Sequence, residues 1–230
     1  MTEPASPAVL RRRARTVLNR LHKRYGELVP PRRSDPLEEL ILTVLSQHTS
    51  DVNAERAFES LRAAFPSWEG VVRAPTHAVA DAIRSGGLAD TKAPRLQAIL
   101  REVEERRGAF DLSFLAGLSD DEARGELMSL PGVGPKTAAV VLSFSLGRDA
   151  MPVDTHVHRV TRRLGLVPSQ ASAERADRIL HELVPEGLRT PLHVALIGLG
   201  REICKAPIPR CHVCPLNDIC PTAPRYLTDG

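Results

Sequence analysis

An all-α fold is predicted by three features of the 230-residue sequence. Apolar residues recur at three- and four-residue intervals through most of its length. No run alternates apolar and polar residues for long enough to build a sheet. Proline, glycine and small capping residues divide the periodic stretches at short intervals, as helix boundaries do.

Residues 1–8 read as a disordered start. From Val9 to about Tyr25, Leu10, Val17, Leu18 and Leu21 form the apolar stripe of an amphipathic helix with a basic back. Pro30-Pro31 closes the linkage after it, and Ser34 is placed to cap a strongly apolar helix from Pro36 to about Gln47. Asp51 reads as the cap of a helix reaching about Phe65. A short helix is expected around Trp68, another from Thr76 to Ser85 before Gly86-Gly87, and a longer one from Thr91 to Arg107. Ser119-Asp120-Asp121-Glu122 is a helix start, with a hydroxyl cap and acids in the first turn. Further helices are expected at 154–164, 172–184 and 192–204.

Composition narrows the function classes. No apolar run reaches the roughly 20 residues that span a bilayer. Met1 to Val9 lacks the basic start and apolar centre of a secretory signal. An intracellular protein is expected, with its four cysteines reduced or metal-bound. The net charge of +3 does not by itself indicate a polyanionic partner. Its distribution says more. Residues 1–33 carry nine cations (Arg11, Arg12, Arg13, Arg15, Arg20, Lys23, Arg24, Arg32, Arg33) against Glu3 and Glu27. Such a block can meet phosphates or form a solvated helix face.

The segment Leu130-Pro131-Gly132-Val133-Gly134-Pro135-Lys136-Thr137-Ala138 carries the first chemistry. It reads as helix, tight glycine hairpin and second helix. Gly132 and Gly134 permit positive φ and close backbone approach, and Pro135 suits the first helical position. Backbone N–H groups at such a bend suit a phosphate, so Gly132, Val133 and Gly134 are phosphate-contact candidates. Lys136 lies in the first turn, where the helix dipole disfavours an ammonium. An unprotonated lysine can form a Schiff base with a sugar aldehyde; a protonated one can contact phosphate. Both readings are open from this segment alone.

Two further features accompany it: Asp154 in Pro152-Val153-Asp154-Thr155-His156, and a C-x6-C-x2-C-x5-C run at Cys204, Cys211, Cys214 and Cys220. With the hairpin, these resemble endonuclease III of the helix-hairpin-helix DNA glycosylase/AP lyase superfamily, from about Asp35 to Cys220. The resemblance implies a six-helix barrel lobe over residues 32–149 and a second lobe from 1–31 with 150–230, with double-stranded DNA in a cleft between them. It implies base-excision repair of oxidised pyrimidines in damaged duplex DNA by a cytoplasmic, nucleoid-associated monomer, with no membrane partner.

In that family Lys136 aligns with the lysine nucleophile and Asp154 with the essential aspartate. Asp154 also suits a helix N-cap. Four thiolates can hold zinc or a [4Fe–4S] cluster, and the spacing does not separate these well; the resemblance favours the cluster. Between the first two cysteines, Lys205 and Arg210 sit on a proline-rich loop suited to phosphates. Leu88 matches the family's leucine wedge within Gly87-Leu88-Ala89-Asp90-Thr91-Lys92-Ala93. The void left by an extruded base is filled in the family by a glutamine whose aligned position here is His48, with Gln47 one place earlier. The rival readings are an adenine-mismatch or other mismatch glycosylase and a non-catalytic helix-hairpin-helix module. Lys136, and an end at Gly230 without a further recognition domain, weigh against the mismatch enzymes.

Overall fold

A computed structural model describes residues 6–26 and 35–227. Among them the regular structure is helical, with no strand. The expected caps at Ser34 and the break at Pro30-Pro31 lie outside the described residues. Backbone contacts group the chain into two units, one of residues 1–31 with 148–230 and one of 32–147.

In the 32–147 unit, α2 (Pro36–Leu45) is capped by Asp35, whose carboxylate accepts from the Leu37 and Glu38 N–H groups. Eight of its residues besides Pro36 are buried, so this is a central helix rather than an amphipathic one. Helix α3 (Asp51–Ala64) is capped by Ser50, which accepts from Asn53 N at 3.3 Å; Asp51 is its first helical residue instead of its cap. The short α4 (Trp68–Arg73) and α5 (Thr76–Ala82) follow, and a tight 3-10 turn at Arg84–Gly86 replaces the expected end of α5.

Helix α6 (Ala89–Arg107) starts two residues earlier than its pattern predicted. It is the spine of this unit. Leu96, Ile99 and Leu100 are fully buried, and its polar residues reach into the surrounding loops. Gln97 donates to the Val71 and Ala74 carbonyls at 2.9 and 2.8 Å and accepts from Thr76 at 2.8 Å, so this buried amide is satisfied.

Helix α7 (Asp120–Met128) opens with the expected Ser119–Glu122 capping box. The hairpin leads to α8 (Pro135–Val140), with Pro135 at the first position. A π-helical turn over Val141–Ser145 then continues it, and Gly147 leaves at φ +66°. The π turn buries Val141, Leu142, Ser143 and Ser145, while Phe144 and Leu146 remain partly exposed.

The other unit joins α1 (Pro7–Tyr25) to α9 (Thr155–Arg163), α10 (Ala173–Leu183) and α11 (Arg189–Glu202). One core unites them. Val17, Leu18 and Leu21 of α1 pack in a cluster with Val157, Val160, Leu180, Leu196 and Leu199. Leu192 and Ile203, which the pattern placed inside the last long helix, belong to it too. The basic face of α1 is partly committed within the unit. Arg13 donates to Leu164 O at 3.2 Å, Arg20 pairs with Asp218, and Arg24 and Tyr25 bond Glu202. Arg11, Arg12 and Arg15 are exposed or nearly so. A short α12 (Pro224–Leu227) ends the described chain. Among the described residues, no helix is long and apolar enough to cross a membrane.

Candidate nucleic-acid interface

The hairpin is built on local rules. Gly132 stands at φ +71° and is exposed, a backbone state in which a side chain would be strained. A Cβ there would also lie 2.9 Å from Arg95 Nε. Lys136 is the second residue of α8, partly buried, directly after the bend. Val133 departs from its expected role. Its side chain is 6% exposed, and its N–H donates to Leu130 O at 3.2 Å. That N–H is spent inside the hairpin, so backbone approach to an anion rests on Gly132 and Gly134.

Two further loops of the same unit carry three more contact candidates, Gln47, His48 and Leu88. After α2, Gln47 is partly buried and its Oε1 accepts from Arg95 Nη1 at 2.9 Å, while His48 is exposed at φ +56°. Before α6, Leu88 is 57% exposed at φ +50°. A left-handed backbone is uncommon for histidine and a genuine outlier for leucine. An exposed leucine held in that state cannot be explained by packing, and such outliers concentrate at functional positions. Sequence reasoning did not single out Arg95 or Lys92. Lys92 is 2% exposed, and burial lowers its pKa. Its Nζ donates to Leu45 O at 2.6 Å and Gly86 O at 2.8 Å.

In the 148–230 part of the other unit, Asp154 caps α9, accepting from Val157 N at 2.7 Å. The segment before it is held by buried His193 of α11, whose Nδ1 lies 2.7 Å from Pro152 O. His156 lies 3.1 Å from Arg159 Nη2, and His158 Nε2 lies 2.8 Å from Ala171 O. His158 thus ties α9 to the segment before α10, and His156 pairs within α9.

Cys204, Cys211, Cys214 and Cys220 line one pocket with Val160, Arg163 and Leu199. Burial pushes the Cys214 thiol up to about 11, and the charges of the other three cysteines add to the rise. Cys211 and Cys220 are raised for the same reasons. The Cys211, Cys214 and Cys220 thiols, raised by burial and by neighbouring sulfurs in a largely apolar wall, suit a bound cation, which reverses that penalty. Among the described residues, no three His, Cys, Asp or Glu side chains are gathered tightly enough to hold a single metal ion. Arg163, which sequence reasoning also missed, ties the loop down. It donates to Lys205 O at 2.7 Å, Pro207 O at 3.0 Å and Cys204 Sγ at 3.4 Å. Arg159 adds a bond to Cys204 O at 2.9 Å. Lys205 and Arg210 are exposed on that loop, their own N–H groups closing it onto Ile203 O at 2.9 Å each.

Residues 41–186 match the HhH-GPD superfamily base excision DNA repair protein family. The chain belongs to this family. It is 35% identical over 207 residues to endonuclease III of Thermotoga maritima, covering 90% of each protein. It is 34% identical over 187 residues to endonuclease III of Bacillus subtilis, covering 81% of each. A longer Arabidopsis thaliana relative, whose name includes the words DNA glycosylase, is 40% identical over 168 residues; these make up 73% of this chain but only 57% of that protein. Among solved structures, a non-covalent endonuclease III–DNA complex superimposes with a TM-score of 0.82 at 30% identity, over 95% of this chain and 99% of that one. A trapped endonuclease III–DNA covalent intermediate gives 0.81 at 30% identity over 94% and 98%. The fold is therefore that of endonuclease III, and the chain is a helix-hairpin-helix DNA glycosylase of that type.

Proposed function

We propose that this enzyme removes oxidised pyrimidines from double-stranded DNA and then nicks the abasic strand, with Lys136 as nucleophile and Asp154 as its acid–base partner. The observation that carries this reading is a lysine at the second position of α8, immediately after the positive-φ Gly132 bend, in a chain similar to an endonuclease III trapped covalently on DNA.

In the first stage the nucleotide is turned out of the stack. The neutral Lys136 amine forms a bond to C1′ as the C1′–N bond to the base breaks. The base leaves with a proton, and Asp154 stabilises the positive charge that develops on the sugar. The sugar ring opens to a Schiff base. Loss of a C2′ proton then expels the 3′ phosphate, and water releases the sugar aldehyde and regenerates the amine. Gly132 and Gly134 offer the backbone approach for a phosphate, Leu88 enters the stack, and Gln47 with His48 meets the unpaired base. Lys205 and Arg210 lie on a second phosphate-suited loop.

Cys204, Cys211, Cys214 and Cys220 would hold a [4Fe–4S] cluster. The four thiols share one pocket, and such a cluster takes one thiolate on each iron. When bound, the cluster supplies a rigid crosslink that fixes the Lys205–Arg210 loop. The enzyme would act on the nucleoid in the cytoplasm.

The test is borohydride trapping on a duplex with one oxidised pyrimidine. The native chain should form a covalent adduct and nick without alkali, and Lys136→Gln should do neither. Undiminished trapping by Lys136→Gln refutes the assignment.

A further inference from the structure

Lys92 is not used by the reaction above, yet it is among the most buried cations of the 32–147 unit. Its two acceptors are instructive. Leu45 is the last residue of α2, and Gly86 ends the Arg84–Gly86 turn. Both carbonyls therefore lie at helix ends, where partial negative charge favours an ammonium. Two residues beyond Leu45 comes Gln47, followed by His48; two residues beyond Gly86 comes Leu88. The roots of both loops are thus held by one Nζ, at 2.6 and 2.8 Å. The Lys92 main chain grips the same segment, its N–H donating to Leu88 O at 2.9 Å. Below the turn, Gly86 is packed so closely that an added Cβ would lie 3.0 Å from Ala57 Cβ. The turn has little freedom to move toward α3, and the lysine fixes it on the other side. The two residues at the loop tips, His48 and Leu88, are the described chain's two non-glycine residues at positive φ.

We infer that Lys92 is a positioning residue that sets the spacing between the Leu88 wedge and the Gln47–His48 loop, so that intrusion and capture of the unpaired base occur together. This rests on the proposed base-extruding activity. A buried lysine that merely stabilised the fold would affect all substrates alike. One that spaces the two loops should matter most when a base pair must be separated and an orphan base held.

The experiment compares single-turnover excision by the full-length enzyme on two duplexes. In one the oxidised pyrimidine faces adenine; in the other it faces a tetrahydrofuran gap, which leaves no orphan base. Lys92→Met should lose about tenfold or more on the paired lesion and less than about threefold on the gapped one. In a Leu88→Ala background the same change should cost less than about threefold on the paired lesion, because the two residues act as a unit. Equal losses on both duplexes, or full additivity with Leu88→Ala, overturn the inference. Should Lys92→Met not fold, Lys92→Arg keeps a cation but cannot place its longer fork on both carbonyls in the same way; unchanged paired excision by that variant overturns the inference, and a selective loss supports it. Failure of the native enzyme to excise either lesion would instead sink the activity on which the inference rests.

Discussion

At the scale of single residues, Asp154 combines a structural and a chemical role that substitution can separate. Its carboxylate caps α9 through Val157 N. Asparagine caps a helix about as well as aspartate, whereas alanine costs roughly 1 kcal/mol. Asp154→Asn should therefore keep its denaturation midpoint while losing base excision by at least about a hundredfold. Asp154→Ala should lose both. Retained excision by Asp154→Asn would reduce this residue to a cap.

Tyr25 makes a different residue-scale prediction. Burial, and then the hydrogen bond that its hydroxyl donates to Glu202 Oε2 at 2.8 Å, push the phenol up to about 12 from an ordinary 10.0. A phenol with a raised folded-state value holds its proton more tightly in the fold than in the unfolded chain. Its contribution is complete below pH 10 and is lost as pH rises toward 12. Tyr25→Phe should flatten the fall in urea midpoint over that interval; parallel curves for the two proteins would contradict the assignment.

At the scale of elements, α6 organises the loops offered for DNA contact. Lys92 and Arg95 sit three residues apart on it and so share a face. One bonds the bases of the Gln47–His48 and Leu88 loops, and the other bonds Gln47 and lies against Gly132. Gly132→Ala tests that coupling. The added Cβ meets left-handed backbone strain of about 1–2 kcal/mol and a 2.9 Å approach to Arg95 Nε. The expected result is a stability loss of that size by chemical denaturation, with weaker DNA binding because Arg95 must release Gln47. A variant as stable as the native chain would show that the bend tolerates a side chain.

At the scale of the whole molecule, each of the two units has its own core, and the cysteine pocket belongs to one of them. If the four cysteines hold the proposed cluster, replacing Cys214 by serine should remove its brown colour and accelerate hydrogen exchange in α9, α11 and the 204–220 segment. Helices α2 and α6 should exchange as before, since their buried contacts lie within 32–147. Uniform acceleration through both units would show a single cooperative structure instead.

Much of this was legible in the sequence because the decisive forces act over a few residues. Helical periodicity located nearly every long helix. The Ser119–Glu122 box, the Ser172 cap, the Asp154 cap and the Gly132 bend are all set by neighbours within four positions. Where two capping residues adjoin, local rules chose wrongly: Ser50 caps α3 and Asp51 begins it. The family resemblance named Lys136, Asp154 and the four cysteines, which composition could not have done. Only the tertiary structure revealed Lys92, Arg95 and Arg163 as organisers. Lys92 reaches Leu45 across 47 positions, Arg95 reaches Gln47 across 48, and Arg163 reaches Pro207 across 44. A charged side chain that bonds a distant carbonyl or amide leaves no period and no spacing in the chain, because its partner is chosen by folding in three dimensions.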